Sequence, residues 1–279
     1  MRVLSIIFLI FNWIFVSAQD LNTSITLSGQ LVDSITNEGV EYVNIGIPNT
    51  PVGCISGSNG FFSMDLDTIQ YRDSTIRISA IGYEHAEYAI GHFNFFDSVI
   101  VFLKPEIYHI DEIVFEGQHL KLKNYGIKRG GDRIIKGMLH GLEKAYFIPV
   151  KKERIKIKDV NFCLRSEFDT VTFRINIYNK ADNAPNNRIN TENLLFTQVS
   201  DKTGWISCDL SERNLFFDND FYLAIELLPE LNNDTEVRSV FKAKLGAKGK
   251  LFSRDYLDSW MEIKGLGIPI NINYFQIEP

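Results

Sequence analysis

The residues in this chain that could carry chemistry are few, and most fail on spacing. Two His-x-x-Glu tetrapeptides, His109-Ile110-Asp111-Glu112 and His140-Gly141-Leu142-Glu143, have the form of the first two ligands of a zinc hydrolase. A catalytic zinc needs three protein ligands. No histidine follows His140, and His140 stands too near Glu112 to be a distant third ligand. His109 also opens a strand-like run, where positions i and i+3 point to opposite faces. Neither a metal nor a cofactor is expected. Arg129-Gly130-Gly131-Asp132 offers backbone N–H groups to an anion, but it lacks the Gly-x-x-x-x-Gly-Lys spacing of a phosphate loop and reads as a connector. There is no Gly-x-Ser-x-Gly elbow. The acidic pairs Asp218/Asp220 and Asp65/Asp67 fit solvated turns better than calcium binding or glycosidic hydrolysis. The expectation is a protein that is not an enzyme.

Aromatic residues are the surplus, with 21 Phe and 11 Tyr. Tyr178 and Tyr222 fall on the polar faces of predicted strands, and Trp205 points away from Ile206, Cys208 and Leu210. Exposed aromatics on a sheet can stack on sugars or on a partner chain. Trp205, Tyr178, Tyr222 and Trp260 are therefore the candidate ligand-binding residues. The competing reading is that these faces pack against another domain.

The elements that would position them are strands. Ile25, Leu27, Gly29 and Leu31 share one face, and Val43, Ile45 and Ile47 alternate before Pro48. Phe62, Met64 and Leu66 follow the Asn59-Gly60 turn; Ile76 and Ile78, then Val99, Val101 and Leu103, continue the series. Asp132 to Glu143 has the spacing of a short helix, weakened by Gly137 and Gly141 at about 1 kcal/mol each. From Ile155 the alternation returns. Val171, Phe173, Ile175 and Ile177 face one way, and Thr172, Arg174, Asn176 and Tyr178 the other. Phe221 to Leu227 and Ile268 to Tyr274 repeat the pattern, as a two-sheet sandwich or jelly roll requires.

The 279 residues suffice for two domains, and 45% hydrophobic content can fill two cores. Net charge is −6, and the basic cluster Lys151-Lys152-Glu153-Arg154 is interrupted by Glu153, so nucleic acid is not expected as a partner. Met1-Arg2, the apolar run Val3 to Val16 and the small residues Val16-Ser17-Ala18 read as a signal peptide over 1–18. No later run is long and apolar enough to span a bilayer, so the mature chain is expected to lack a transmembrane segment. Of Cys54, Cys163 and Cys208, the last two share a domain, and a bridge between them is left open by spacing alone.

Ser28 to Ile90 resembles the carboxypeptidase-regulatory-like family. The resemblance rests on Gly29-Gln30-Leu31-Val32-Asp33, on Gly39 to Ile45, on Asn59-Gly60-Phe61-Phe62 and on Ile81-Gly82-Tyr83. Leu103 followed by Asp111-Glu112-Ile113-Val114 resembles the family's exit strand. Cys54, Ser56 and Gly57 depart from its hairpin pattern. The resemblance implies a transthyretin-like β-sandwich of the kind found at the front of gram-negative envelope proteins. The reading is thus all-β: signal peptide 1–18, regulatory-like sandwich 24–105, connector 106–150 and a second sandwich or jelly roll 151–279. It implies an exported, periplasmic or surface-associated interaction or structural module whose partner is an envelope protein or a glycan. A carbohydrate-binding module of a glycan-uptake system is the alternative, and a zinc carboxypeptidase stands third.

Overall fold

A computed structural model describes residues 24–93, 98–106, 120–129, 133–134, 142–151, 153–200, 203–229, 239–246 and 249–277. The expected signal peptide and the run Asp111 to Phe115 lie outside them. Among the described residues the only helical piece is a 3-10 turn at Ile90–His92, and no helix is long and apolar enough to cross a membrane.

The N-terminal sandwich is built from β1 (Ser24–Asp33), β2 (Asn44–Gly46), β3 (Gly53–Ile55), β4 (Phe61–Asp67), β5 (Thr75–Ser79), β6 (Ala86–Ala89) and β7 (Val99–Leu103). One sheet has the order β4-β1-β7 and the other β3-β2-β5-β6. β1 runs antiparallel to β4 and parallel to β7, with Gly29 opposite both Phe62 and Val99. A Cβ on Gly29 would stand 2.2 Å from the Val99 carbonyl oxygen, so the three strands can close only around a glycine. Leu27, Leu31, Ile45, Phe62, Met64 and Ile76 fill the interior, as the alternation predicts. Asn59-Gly60 makes the expected turn, with Gly60 at φ 80. The Ile81-Gly82-Tyr83 motif acts as a tie: the Tyr83 hydroxyl donates to Asp33 Oδ2 at 2.9 Å, anchoring the far end of β1.

The second sandwich comprises β8 (Leu120–Gly126), β9 (Arg133–Ile134), β10 (Leu142–Ile148), β11 (Arg154–Ser166), β12 (Thr170–Ala181), β13 (Ala184–Arg188), β14 (Leu194–Val199) and β15 (Thr203–Asp209). It continues with β16 (Phe216–Phe217), β17 (Phe221–Leu227), β18 (Ser239–Leu245), β19 (Leu251–Asp255), β20 (Met261–Ile263), β21 (Leu266–Gly267) and β22 (Ile270–Ile277). One sheet runs β13-β12-β17-β10-β19-β20, with β14 also on β12. The other runs β21-β18-β11-β22-β8, with β15 and β16 on β11 and β9 on β18. Val171, Phe173, Ile175 and Ile177 meet Phe162, Phe241, Ile270 and Ile272 between them. At about 1.5–3 kcal/mol per buried side chain, the four inner residues of β12 alone resist a one-residue register slip.

Three expectations need correction. The helix expected over Asp132 to Glu143 is strand at both ends, in β9 and at the start of β10; 135–141 lie outside the described residues. Gly137 and Gly141 weaken a helix there, whereas Glu143 gains a strand partner on each side, Glu226 and Arg254. The connector is accordingly narrower than 106–150, since β8, β9 and β10 all belong to the second sandwich. The face bearing Thr172, Arg174, Asn176 and Tyr178, expected to be wet, is buried. The cysteine pair also resolves: Cys208 points into the core opposite Val160, whereas Cys163 lies opposite Trp205 on the outer face, and both are free thiols.

Candidate functional site

The buried outer face of the first sheet carries a row of charge. Arg174 on β12 lies opposite Glu226 on β17, Glu226 opposite Glu143 on β10, and Glu143 opposite Arg254 on β19. The order is plus, minus, minus, plus. Glu143 and Glu226 are each 1% exposed, so two adjacent carboxylates sit away from water. They are held by donors on every side. Arg174 Nη1 donates to Glu226 Oε2 at 3.2 Å, and Arg254 Nε to Glu143 Oε2 at 2.6 Å. The Asn176 amide donates to both carboxylates, and the Tyr178 hydroxyl reaches Glu143 Oε1 at 2.8 Å. Burial pushes the Glu226 carboxyl up, but the Arg174 guanidinium and the Asn44 and Asn176 amides outweigh it and hold it below the usual carboxylate range.

The N-terminal sandwich completes this row. Asn44 Nδ2 on β2 donates to Glu226 Oε1 at 2.9 Å, and Arg174 Nη2 donates to the Tyr42 carbonyl at 2.6 Å. Tyr42 presents that carbonyl from a left-handed backbone, φ 49, which is rare for a bulky residue. Apolar contact among Tyr42, Ile55 and Leu228 seals the junction. Beside it, a cavity of about 380 Å³ opens between Glu41, Ser58 and Tyr83 on one side and Arg174 and Asn193 on the other.

Three of the four aromatics named from sequence gather around this row rather than on an open platform. Tyr178 is 2% exposed and Tyr222 0%. Tyr178 meets Trp260 edge-on at 5.2 Å, and the Arg254 guanidinium lies 4.4 Å over the Trp260 ring. Tyr222 packs between Phe147 and Phe252. The expected wet aromatic face is thus a second small core, because the residues after β19 fold Trp260 back over it. Trp205 stands apart, on the opposite sheet.

Trp205 is 41% exposed on β15. Along the outer face of its sheet runs a ladder of amides and carboxylates. Ser207, Asn161 and Asn271 form one cross-strand row over β15, β11 and β22. Asp209, Asp159, Asn273 and Asn124 form the next, reaching β8. Asn161 Nδ2 and Asn273 Nδ2 both donate to Asp159 Oδ1 at 2.6 Å, while Asn124 Nδ2 donates to Asn273 Oδ1 at 2.8 Å and Asn271 Oδ1 at 3.1 Å. The Asn161, Asn124 and Asn273 amides donate inside the ladder, and the Asn271 amide donates to the Ile127 carbonyl at 3.5 Å. Among the described residues nothing donates to Asn161 Oδ1 or Asp159 Oδ2. Sequence reasoning missed this ladder. Alternation with Val160, Phe162, Ile270 and Ile272 marks each member as outward-facing, but only register brings them together.

Glu143, a candidate zinc ligand by sequence, is committed to Arg254 and Tyr178; His109, Glu112 and His140 lie outside the described residues. Asp220 accepts from the Val150 N–H and Lys180, and Asp218 pairs with Arg154. Asp65 accepts from Thr26, and Asp67 caps the turn at Ile69 and Gln70. Lys144 is buried with its ammonium on Ser253 Oγ at 2.6 Å, and burial pulls its pKa down to about 8 against the attraction of Asp255.

Two β-sandwiches joined by a buried polar row define a multidomain β protein. Residues 27–115 match the family model of the CarboxypepD_reg-like domain, so the chain carries that domain at its N-terminal end. No curated protein matches the chain. Among solved structures it is similar to the clostridial cysteine protease Cwp84 after propeptide cleavage, at 10% identity and TM-score 0.43, covering 90% of this chain and 65% of that one. It is also similar to a structure of infectious bursal disease virus, Gx strain, at 9% identity and TM-score 0.30, covering 91% of this chain and 64% of that one. The chain therefore spans less than two thirds of the length of each.

Proposed function

We propose that this is an exported, non-catalytic envelope protein whose N-terminal sandwich is a structural prop and whose second sandwich is a binding module. One observation carries the reading: the two sheets of the second sandwich use their outer faces differently. The first gives its face to the N-terminal domain through Asn44, Tyr42, Arg174 and Glu226. The other keeps Trp205 exposed beside acceptors that nothing in the described chain fills. The apolar N-terminal run supports export.

The test uses the full chain with its own N-terminus. Cell fractionation places it in the envelope, and purified mature protein binds isolated envelopes saturably, with binding reduced by Trp205→Ala. Cytosolic retention refutes the export half, and binding indifferent to Trp205→Ala refutes the face.

A further inference from the structure

We infer that the ligand of the Trp205 face is a neutral polysaccharide chain, laid across β15, β11 and β22 with one sugar ring stacked on the indole; this rests on the binding role proposed above.

The argument begins with what the face has left to offer. Its amide nitrogens donate to Asp159, Asn271, Asn273 and the Ile127 carbonyl, which fixes how the carboxamides point. What remains is chiefly acceptor capacity, Asn161 Oδ1 and Asp159 Oδ2, together with the second N–H of Asn273 and the Ser207 hydroxyl, which can accept or donate. A ligand that satisfies such a row must be rich in hydroxyl donors. Beside it, Trp205 offers an apolar surface that is nearly half exposed and one strand away from Cys163. The same ligand must therefore also carry a flat C–H face. Sugars combine both properties: equatorial hydroxyls at the rim and C–H groups on the ring faces.

Charge narrows the class further. Asp159 and Asp209 lie directly opposite each other across β11 and β15, so the ladder already holds two carboxylates side by side. A uronic acid or sulfated chain would add like charge there. A neutral chain adds none. Extent points the same way: three strands about 4.8 Å apart give a footprint about 10 Å across, room for more than one sugar unit. The ladder is also preorganised, since its members bond one another before any ligand arrives, which lowers the ordering cost of binding.

A protein partner would be drawn to a different corner. Leu120 and Leu122 are 54% and 55% exposed on β8, at the far edge of the same sheet from Trp205. They supply an internal control.

The experiment is affinity electrophoresis of the full mature chain in gels containing hydroxyethyl cellulose, xylan, galactomannan or soluble starch, with alginate as the anionic counterpart. At least one neutral polymer is expected to retard the parent. Trp205→Ala should weaken that retardation at least about tenfold, as a central aromatic anchor does, and Asn161→Ala about threefold to tenfold. Leu122→Ser should migrate with the parent. Trp205 is exposed and Asn161 half-buried, and thermal melting confirms that each variant is folded. Retardation by no neutral polymer, retardation by alginate alone, or loss on Leu122→Ser but not Trp205→Ala overturns the inference. Trp205-dependent binding to isolated envelopes without retardation by any of these polymers sinks the polysaccharide and leaves the binding role standing; envelope binding that ignores Trp205 removes both.

Discussion

Replacing Glu226 by glutamine tests how the two sandwiches are joined. The substitution keeps shape and removes one charge at a site 1% exposed. Arg174 then sits 2% exposed with its guanidinium facing an amide, and the new NH2 competes with the Asn176 and Asn44 donors that the carboxylate accepts. Removing one partner of a buried ion pair costs about 3–5 kcal/mol, because the other charge stays buried without compensation. In a protein of this size that lowers Tm by roughly 6–20 °C. The acid limb changes as well. The folded Glu226 pKa is below its unfolded value, so its contribution is fully present above the usual carboxylate range and is lost as pH falls through the lower folded value. Glu226→Gln should lose the part of the acid-induced decline that this group supplies. Thermal melts at pH 7, and urea titrations from pH 3 to 7, read both effects. The double replacement Arg174→Leu with Glu226→Leu should recover much of the loss, since an apolar pair carries no stranded charge. A Glu226→Gln protein within about 1 kcal/mol of the parent would refute the claim that this contact joins the domains.

Other outcomes follow from the same geometry. Tyr178→Phe should destabilise by about 1–3 kcal/mol, since it strips a hydroxyl from the buried Glu143 and Arg254 pair; differential scanning fluorimetry reads it, and Trp205→Ala should shift Tm far less. The Lys144 ammonium has a folded pKa of about 8 against an ordinary value near 10.5, so the unfolded chain binds the extra proton between these values. Stability should therefore rise with pH from about 8 to 10, and Lys144→Met should abolish that slope in urea titrations. Gly29→Val should prevent folding of the N-terminal sandwich, because its Cβ would overlap the Val99 carbonyl; loss of expression as soluble chain, against a tolerated Ser28→Val, is the readout.

How much of this was legible in the sequence depends on what period-2 alternation can say. It marks which residues share a face, and for Leu27, Phe62, Val171 to Ile177 and Phe221 to Leu227 that gave the two cores directly. It says nothing of what covers the other face. Tyr178 and Tyr222 alternate with apolar residues as wet positions do, and they are buried because Trp260, Phe147 and Phe252 of the same sandwich pack over them. Arg174, Glu226, Glu143 and Arg254 are ordinary surface residues one at a time; register alone aligns them. The amide ladder near Trp205 escaped for the same reason, being contributed by four separated strands. The short motifs fared better, since Asn59-Gly60 and Ile81-Gly82-Tyr83 act locally and keep the same work in the folded chain.

Tyr42 has a consequence for the order of assembly. Its left-handed turn is already held inside the first sandwich, where the Tyr42 N–H donates to the Gly57 carbonyl and the Val43 N–H to Ser56 Oγ. Arg174, synthesised 132 residues later, therefore meets a carbonyl already in place. The first sandwich offers a finished socket, and the later half of the chain docks onto it rather than remoulding it.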